Sequence, residues 1–415
     1  MKTTGKQRIL IVDDHAIVRM GMRRLIDMEA DLVICGEAET ADQALDLVRT
    51  TNPDLAIVDL SLASTSGLHL VRQLHETSPT LPLLESYLES LRQQAGIPGM
   101  SAVLVRDRAV GWSKGFGYAD VNARIAATPD TPYLVGDVSE IFAATLLMQC
   151  VEQRHLFLDD PISTLGLSQP EPDATLRGLL SHVAPDGSPT PFLFSPDRFS
   201  HLTEVMEACA PQPYRKSIAH RLLDPSTMIN SVPGTDLANP DLTLPDGLFD
   251  PSDIDRYRAT LQRMAVPYKV DARRRATRNT DLPLMTITAA NGLVSTAIDL
   301  ANFDAALTPA DVDDHAAFLL PDTLNAMWTP AFGRDGAQLP TGLGWFVQTY
   351  NGERLVWQFG NVPGAYSALV LKLPNRGVTF ILLANSDGLS GPYQLNQGDV
   401  TKSVFASVFL KLFLS

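Results

Sequence analysis

The chain has 415 residues, of which 45% are hydrophobic and 19% are charged, an ordinary balance for a soluble globular protein with room for two domains. Its formal net charge of −14 argues against nucleic-acid binding as a main activity, since such binding requires a cationic surface. No stretch is apolar for long enough to span a membrane, and the N-terminal apolar run is too short for a signal peptide, so we expect a cytoplasmic protein.

The N-terminal part of the chain alternates between continuous apolar runs and amphipathic segments. The apolar runs lie at 9–12, 32–35 and 55–58. The amphipathic segments are marked by Val18, Met22, Leu25 and Ile26, by Ala41, Ala44, Leu45 and Val48, and by Leu70, Val71 and Leu74. Strands buried on both faces and separated by helices predict a parallel sheet with crossover connections.

Three acidic residues follow the predicted strands directly. Asp13 and Asp14 come after the first strand, and Asp59 comes after the third. The carboxyl ends of parallel strands meet at one edge of a sheet, so these side chains should converge there. Oxygen ligands alone suit Mg²⁺, which would offset the repulsion between the carboxylates. The alternative is that these residues only cap helices in loops.

With these aspartates, the segment resembles a response-regulator receiver domain of the LuxR type. The matching stretches are ILIVDDHAIVRMGMRRLI and PDLAIVDLSLASTSGLHLV, within about residues 7–80. The resemblance implies that Asp59 is the phospho-acceptor and that Asp13 and Asp14 help to hold Mg²⁺. It also implies a further ligand from the backbone of Ser61. A sensor histidine kinase or a small phosphodonor would be the partner in phosphorelay signal transduction.

The receiver resemblance is incomplete. Leu62-Ala63 stands where the family usually has Met-Pro, and the match stops near residues 80–84. The family's fourth strand with a Ser or Thr and its fifth strand with a Lys have no counterpart. We therefore expect a truncated flavodoxin-like parallel sheet over residues 1–82, with an open edge that another element or chain must cover.

The remainder of the chain predicts a different architecture. Residues 83–91 form an amphipathic helix pattern, and 100–105 and 110–118 read as two strands around the Asp107-Arg108 turn. The region 140–270 is rich in helical patterns. Later segments predict strands at 367–372 and 378–384 and a core-packing helix near the C-terminus. An antiparallel sheet split by a helical insertion follows, and the fold class of the whole chain is α/β plus α+β.

Residues 83–415 resemble the serine β-lactamase and penicillin-binding-protein-like family, in its class C and esterase branch. The matching stretches are IPGMSAVLVRDRAVGWSKGFGYADV, TPDTPYLVGDVSEIFAATLLMQCVE, LDDPISTL, TLRGLLSH, NGLVSTAIDLANFDAAL, TGLGWFVQ and NVPGAYSALVLKLP. The resemblance implies a transpeptidase-like domain. Ser181-His182 falls in the LLSH stretch, which supports the fold in this family.

The family's catalytic motifs are replaced in this chain. Asp137 and Glu140 stand at the Ser and Lys positions of Ser-x-x-Lys, where a capping box at the start of a helix would explain both. Phe194 and Pro196 stand at the Tyr and Asn positions of Tyr-x-Asn. Asn361 stands where the family has a Lys or His before a small residue and Gly. The site would hold two carboxylates without a cation.

These replacements favour a pseudoenzyme, a catalytically inactive β-lactamase-related domain that acts as a binding module for a small molecule or peptide. An active serine hydrolase, esterase or β-lactamase with divergent residues is the alternative. Two further alternatives are less favoured: Ser139 could act as a nucleophile, or Asp137 and Glu140 could act as an acid/base pair. The abrupt join near Pro82 also leaves open a recombination product without selected function.

The three cysteines, Cys35, Cys150 and Cys209, are widely spaced and form no CxxC pair. This spacing indicates neither a zinc site nor a disulfide framework. We expect three buried free thiols.

Overall fold

The computed structural model describes residues 6–51, 53, 55–62, 65–67, 69–71, 80–167, 171–210, 212–309 and 317–414. The chain divides into two compact units, Met1–Leu88 and Glu89–Ser415. This division and the predicted boundary after residue 82 both fall within one helix, Thr80–Ala95. Leu74 and Ala63, which the predictions used, lie outside the described residues.

The first unit contains the predicted parallel sheet. Its strands are β1 (Gln7–Val12), β2 (Leu32–Ala38) and β3 (Leu55–Val58), with a short pair β4 (Ser61–Leu62) and β5 (Thr65–Ser66). Its helices are α1 (Ala16–Asp27) and α2 (Ala41–Thr51), and helix α3 (Thr80–Ala95) follows. The strand order is β2-β1-β3, and both pairings are parallel. The truncated α/β prediction is confirmed in this three-stranded sheet.

Two apolar clusters cover the two faces of this sheet, because successive side chains of β1 point in opposite directions. On one face Leu10 and Val12 pack with Ala44 of α2. On the other face Ile9 and Ile11 pack with Ile26 of α1. Each face is therefore covered by a different helix.

The second unit is built on a seven-stranded sheet with the order β14-β15-β16-β17-β6-β7-β8. These strands are β6 (Gly99–Arg106), β7 (Ala109–Asp120), β8 (Ile125–Ala126), β14 (Phe346–Tyr350), β15 (Glu353–Val362), β16 (Tyr366–Leu373) and β17 (Val378–Ala384). All neighbouring pairs are antiparallel. The sheet joins strands from both ends of the unit, as predicted.

Between β8 and β14 the chain forms the helical insertion. Its longer helices are α4 (Ser139–Glu152), α7 (Leu202–Cys209), α9 (Pro251–Gln262) and α10 (Ala297–Leu307). Shorter helices are α5 (Leu176–Leu180), α6 (Pro196–Ser200), α8 (Tyr214–Ile218) and α11 (Pro321–Met327). Small strands are β9 (Tyr133–Leu134), β10 (Val232–Pro233), β11 (Tyr268–Val270), β12 (Ala276–Arg278) and β13 (Leu293–Ser295). Helix α12 (Val404–Phe413) ends the described chain and buries Phe405 and Phe409, as expected.

The prediction of free thiols at Cys150 and Cys209 is wrong, because these residues form a disulfide. Cys150 lies in α4 and Cys209 ends α7, so the bond joins two helices that are far apart in sequence. Sequence spacing gave no signal for it, since tertiary packing alone brings the two helices together. Cys35 is free and half-buried.

Among the described residues, no helix combines the length and hydropathy that crossing a bilayer requires.

Candidate functional sites

The acidic residues of the first unit converge at the carboxyl ends of β1 and β3. The backbone N–H of Asp59 donates to Val12 O at 2.9 Å, which fixes the two strand ends side by side. One side-chain ligand atom from each of Asp13, Asp14, His15 and Asp59 lies within 4.8 Å of the others. The structure therefore brings the three predicted aspartates together and adds His15, which sequence spacing did not single out.

The donor atoms of this cluster fit a hard divalent cation. Asp14 Oδ1 is buried and accepts no well-formed hydrogen bond, although His15 Nδ1 lies 2.8 Å away. Asp13 Oδ1 accepts the backbone N–H of His15 at 2.7 Å, and Asp59 Oδ1 lies 3.4 Å from the N–H of Ser61. Closely spaced carboxylate oxygens with an unused acceptor are the ligand set that Mg²⁺ prefers.

Neither Arg19 nor Lys6 takes the place of the family's fifth-strand lysine. Arg19 is buried, donates to Asp13 O at 2.6 Å and pairs with Glu39. Its guanidinium is thus held by the backbone and by another carboxylate rather than by Asp59. Lys6 precedes the amino end of β1, opposite the cluster.

The second site lies where a tight turn leads into α4. A 3₁₀ turn, Gly136–Val138, runs directly into the helix at Ser139. Gly136 has a positive φ of 58°, and a Cβ on Gly360 would stand 1.8 Å from Val135 O. The turn therefore packs against β15 at a distance that only glycine permits on the strand.

The predicted capping box at this turn is wrong. The N-cap of α4 is Val138, which has helical backbone angles and makes no side-chain capping hydrogen bond. Because the 3₁₀ turn continues into the helix, Asp137 does not occupy the extended N-cap conformation that capping requires. Both acidic side chains instead accept hydrogen bonds from groups of β15.

Asp137 and Glu140 point into the protein and contact polar groups of β15. Asp137 Oδ2 accepts the backbone N–H of Asn361 at 3.2 Å. Glu140 is fully buried, and its Oε2 accepts from Gln358 Nε2 at 2.9 Å. Glu140 Oε1 has no hydrogen-bond partner among the described residues.

His182 is the second polar neighbour of Glu140. Its Nδ1 accepts a hydrogen bond from the backbone N–H of Ser195, with a nitrogen–nitrogen distance of 3.3 Å. We therefore assign the ring proton to Nε2, which lies 3.3 Å from Glu140 Oε2 and donates to it. The ring is buried between Phe194 and Phe199, at centroid distances of 4.7 and 5.3 Å.

Burial controls the ionisation of these three groups. It raises the pKa of Glu140 well above its ordinary value, against the opposing effect of the Gln358 hydrogen bond. It also raises the pKa of Asp137, and repulsion from Glu140 adds to that rise. Burial, followed by the charge of Arg198, lowers the pKa of His182 to about 3. The site therefore favours neutral carboxyls beside a neutral imidazole.

The remaining predicted positions surround this pair at differing distances. Phe194 lies against His182 and packs against Phe359 in a tilted arrangement, with the two phenyl centroids 5.2 Å apart. Asn361 approaches Asp137 through its backbone, whereas its side-chain Oδ1 lies 3.3 Å from Ser390 Oγ. Pro196 starts helix α6 behind the N-cap Ser195. It takes no part in the contacts of the two carboxyls.

Ser139 uses its hydroxyl within the backbone of the turn. Its Oγ donates to Gly136 O at 2.8 Å and accepts the N–H of Leu293 at 3.3 Å. The side chain is buried, and neither partner is a base. Nothing in these contacts activates it as a nucleophile.

Sequence reasoning did not identify His182 and Gln358 as neighbours of Glu140. Gln358 did leave a usable signal, since it is a polar residue inside the apolar strand run LVWQF. Such a residue on a buried strand needs a polar partner. His182 left none, because its contact with Glu140 depends on the fold.

Two family models match the chain. The model described as Beta-lactamase matches residues 84–398. The model described as Response regulator receiver domain matches residues 9–86.

Among curated proteins, the nitrate/nitrite response regulator protein NarL of Escherichia coli (strain K12) is 37% identical over 70 residues, which cover 17% of this chain and 32% of NarL. Transcriptional regulatory protein YdfI of Bacillus subtilis (strain 168) is 35% identical over 102 residues, which cover 24% of this chain and 48% of YdfI. The chain thus spans about a third of the length of NarL and about half of the length of YdfI.

Solved structures resemble the second unit in fold. The octameric penicillin-binding protein homologue from Pyrococcus abyssi has a TM-score of 0.61 at 21% identity, covering 80% of this chain and 77% of that one. A class C beta lactamase from Rhodobacter sphaeroides has a TM-score of 0.58 at 15% identity, covering 80% of this chain and 99% of that one. At these identities the likeness establishes the fold alone.

Proposed function

This chain belongs to the beta-lactamase family, and from that premise we propose a signalling protein whose lactamase-fold unit binds a ligand without acyl transfer. The receiver unit would carry the phospho-acceptor. The observation that carries the proposal is the buried Asp137–Glu140 pair at the positions of the family's nucleophile and base. A neutral carboxyl offers neither an activated nucleophile nor a proton acceptor.

The surroundings of the pair support the same conclusion. Phe194 has no phenolic oxygen to move a proton, and Asn361 supplies no cation for an acyl substrate. The ligand of the unit is therefore proposed to be a small molecule or peptide that carries no anionic group in need of a cationic partner. With a net charge of −14, nucleic acid is not proposed as a partner.

Hydrolysis assays separate this proposal from an active hydrolase with divergent residues. The full chain is incubated with nitrocefin and, separately, with p-nitrophenyl acetate. We expect rates no higher than those of the heat-denatured chain. A burst that disappears in Asp137→Asn or in Ser139→Ala would refute the proposal and establish the hydrolase.

For the first unit we propose that Asp59 accepts a phosphoryl group while Asp13 and Asp14 hold Mg²⁺. A carboxylate oxygen of Asp59 attacks phosphorus, and the donor leaves as acetate or as the histidine of a sensor kinase. Bound Mg²⁺ would neutralise charge on the phosphoryl oxygens. Because no lysine occupies the fifth-strand role, we expect slow transfer.

Phosphorylation is measured by intact mass after incubation with acetyl phosphate and Mg²⁺. We expect the mass of one phosphoryl group on the wild type and on the control Asp42→Asn, an exposed carboxylate in α2. We expect none on Asp59→Asn. Equal labelling of Asp59→Asn, or no labelling of the wild type, contradicts the assignment.

We propose a cytoplasmic location, where histidine kinases and small phosphodonors act. The disulfide between Cys150 and Cys209 would then be reduced in the cell. Alkylation of thiols at the moment of lysis, followed by peptide mass analysis, tests this. Unmodified cysteines that react only after reduction would point to an oxidising compartment.

A further inference from the structure

Helix α1 of the first unit has two apolar sides, and only one of them is buried. Met22 and Ile26 face the sheet. On the solvent side Ile17, Leu25 and Met28 are 84%, 68% and 80% exposed. A surface helix normally presents polar residues there, so this side marks an interaction surface.

The exposed residues form one continuous stripe along the helix. At 100° per residue, Ile17, Met20, Gly21, Arg24, Leu25 and Met28 occupy the side opposite Ile26. All six are exposed, and Arg24 is the single charged member. We call these residues the α1 stripe.

The α1 stripe is symmetric in sequence about a point between Met22 and Arg23, one residue beyond the middle of the helix. Ile17 and Met28 lie at equal distances from this midpoint, and so do Met20 and Leu25. Gly21 and Arg24 form the innermost pair. A second copy packed antiparallel about a twofold axis would therefore match Ile17 with Met28 and Met20 with Leu25, and would place the small Gly21 opposite Arg24.

Charge complementarity favours the same partner. Among the described residues, Arg24 and Asp27 have no ionic partner. Side chains of a helix lean towards its own N-terminus. In an antiparallel pair, Arg24 and the partner's Asp27 lean towards each other, and the twofold axis repeats the ion pair.

From this symmetry and this charge pattern we propose that the chain forms a twofold dimer through antiparallel α1 helices. A 12-residue helix is about 18 Å long, so the contact buries on the order of 1,000 Å² in total. That area lies at the low end for specific interfaces. We expect a reversible dimer with a dissociation constant of about 1 to 100 μM.

Sedimentation velocity of the full chain between about 1 and 200 μM tests the dimer. Leu25→Glu is expected to weaken association at least tenfold, since it places two carboxylates in the contact. Leu284→Glu changes another exposed leucine, in the second unit (56% exposed, against 68% for Leu25), and should have no effect. Because both positions are exposed, neither change should disturb folding, which circular dichroism verifies.

The charge pair provides a rescue experiment. Arg24→Asp is expected to weaken the dimer about tenfold, and the double variant Arg24→Asp, Asp27→Arg is expected to restore it. A merely destabilised helix would not recover in the double variant.

Cross-linking tests the antiparallel direction in a Cys35→Ser background. A Cβ at Gly21 meets no atom within 4 Å, and two copies of this position lie about 4.5 Å apart along the helix axes. Gly21→Cys should therefore form a disulfide-linked dimer on copper-phenanthroline oxidation. Ile17→Cys, another position of the α1 stripe, should not, since its two copies lie about 16 Å apart along the axes.

A monomer across the whole concentration range overturns the proposal. So does a dimer that Leu25→Glu leaves intact, since another surface would then hold it. Cross-linking through Ile17→Cys overturns the antiparallel arrangement, because a parallel pair brings equal residues of the α1 stripe together along the whole helix.

Discussion

Replacing Glu140 by Gln tests the protonation state that the fold imposes on the second site. Glu140 is buried and accepts from Gln358 and His182 through one oxygen, while the other oxygen has no partner. A glutamine keeps the accepting oxygen and puts an NH₂ group where a carboxyl proton would sit. If the native carboxyl is protonated, Glu140→Gln preserves the same hydrogen bonds without a charge.

The expected effect on stability depends on pH. The folded pKa of Glu140 is raised well above its ordinary value of 4.5, so above that pH the folded state holds one more proton than the unfolded state. The free energy of unfolding of the wild type then falls by about 1.4 kcal/mol per pH unit for as long as Glu140 stays protonated in the fold. The free energy of unfolding of Glu140→Gln does not fall in this way. The variant therefore becomes progressively more stable relative to the wild type as the pH rises.

Urea unfolding between pH 5 and pH 8, followed by tryptophan fluorescence, measures this difference. The chain has four tryptophans, and all of them lie in the second unit. Glu140→Ala is the matched control, because it also lacks the titrating carboxyl but leaves the donors of Gln358 and His182 without an acceptor. It should therefore be less stable than Glu140→Gln by a constant amount of about 2 to 4 kcal/mol across this pH range. Parallel curves for the wild type and Glu140→Gln would refute the protonated carboxyl.

Three further changes probe other contacts. Burial raises the pKa of Asp299 from 3.8 to about 6. As the pH rises between these values, the free energy of unfolding of the wild type should fall by about 3 kcal/mol, whereas that of Asp299→Asn should not. Urea titration measures the difference. Cys209→Ser removes a cross-link between residues 59 positions apart and should cost about 4 kcal/mol without reductant; the difference should vanish in dithiothreitol. Gly360→Ala puts a Cβ 1.8 Å from Val135 O and should cost about 3 kcal/mol in thermal unfolding, whereas Gly111→Ala, whose nearest atom is 3.7 Å away, should be nearly neutral.

Local pattern predicted most of the architecture. The Asp107-Arg108 turn joins β6 and β7 with both residues at positive φ, and the flanking apolar alternation marked both strands. The late runs became β16 and β17, and the apolar C-terminal segment became α12. The formation of these strands and this helix depends mainly on residues close together in the chain, so the sequence pattern alone predicts them.

The contacts around Glu140 depended on residues distant in the chain. The capping motif at Asp137 and Glu140 was locally plausible, but Gln358 and His182 compete for Glu140, and the Asn361 backbone competes for Asp137. Those partners lie on β15 and after α5, and only the fold brings them to α4. The disulfide was missed for the same reason.

Covalent labelling with a β-lactam shows whether residues 137–140 can form an acyl-enzyme. The full chain is incubated with a large excess of benzylpenicillin, and its intact mass is measured together with the masses of its tryptic peptides. We expect no acyl adduct, because we propose that Asp137 and Glu140 stand where the family's nucleophile and base would lie. An adduct on the peptide that contains residues 137–140 would contradict it.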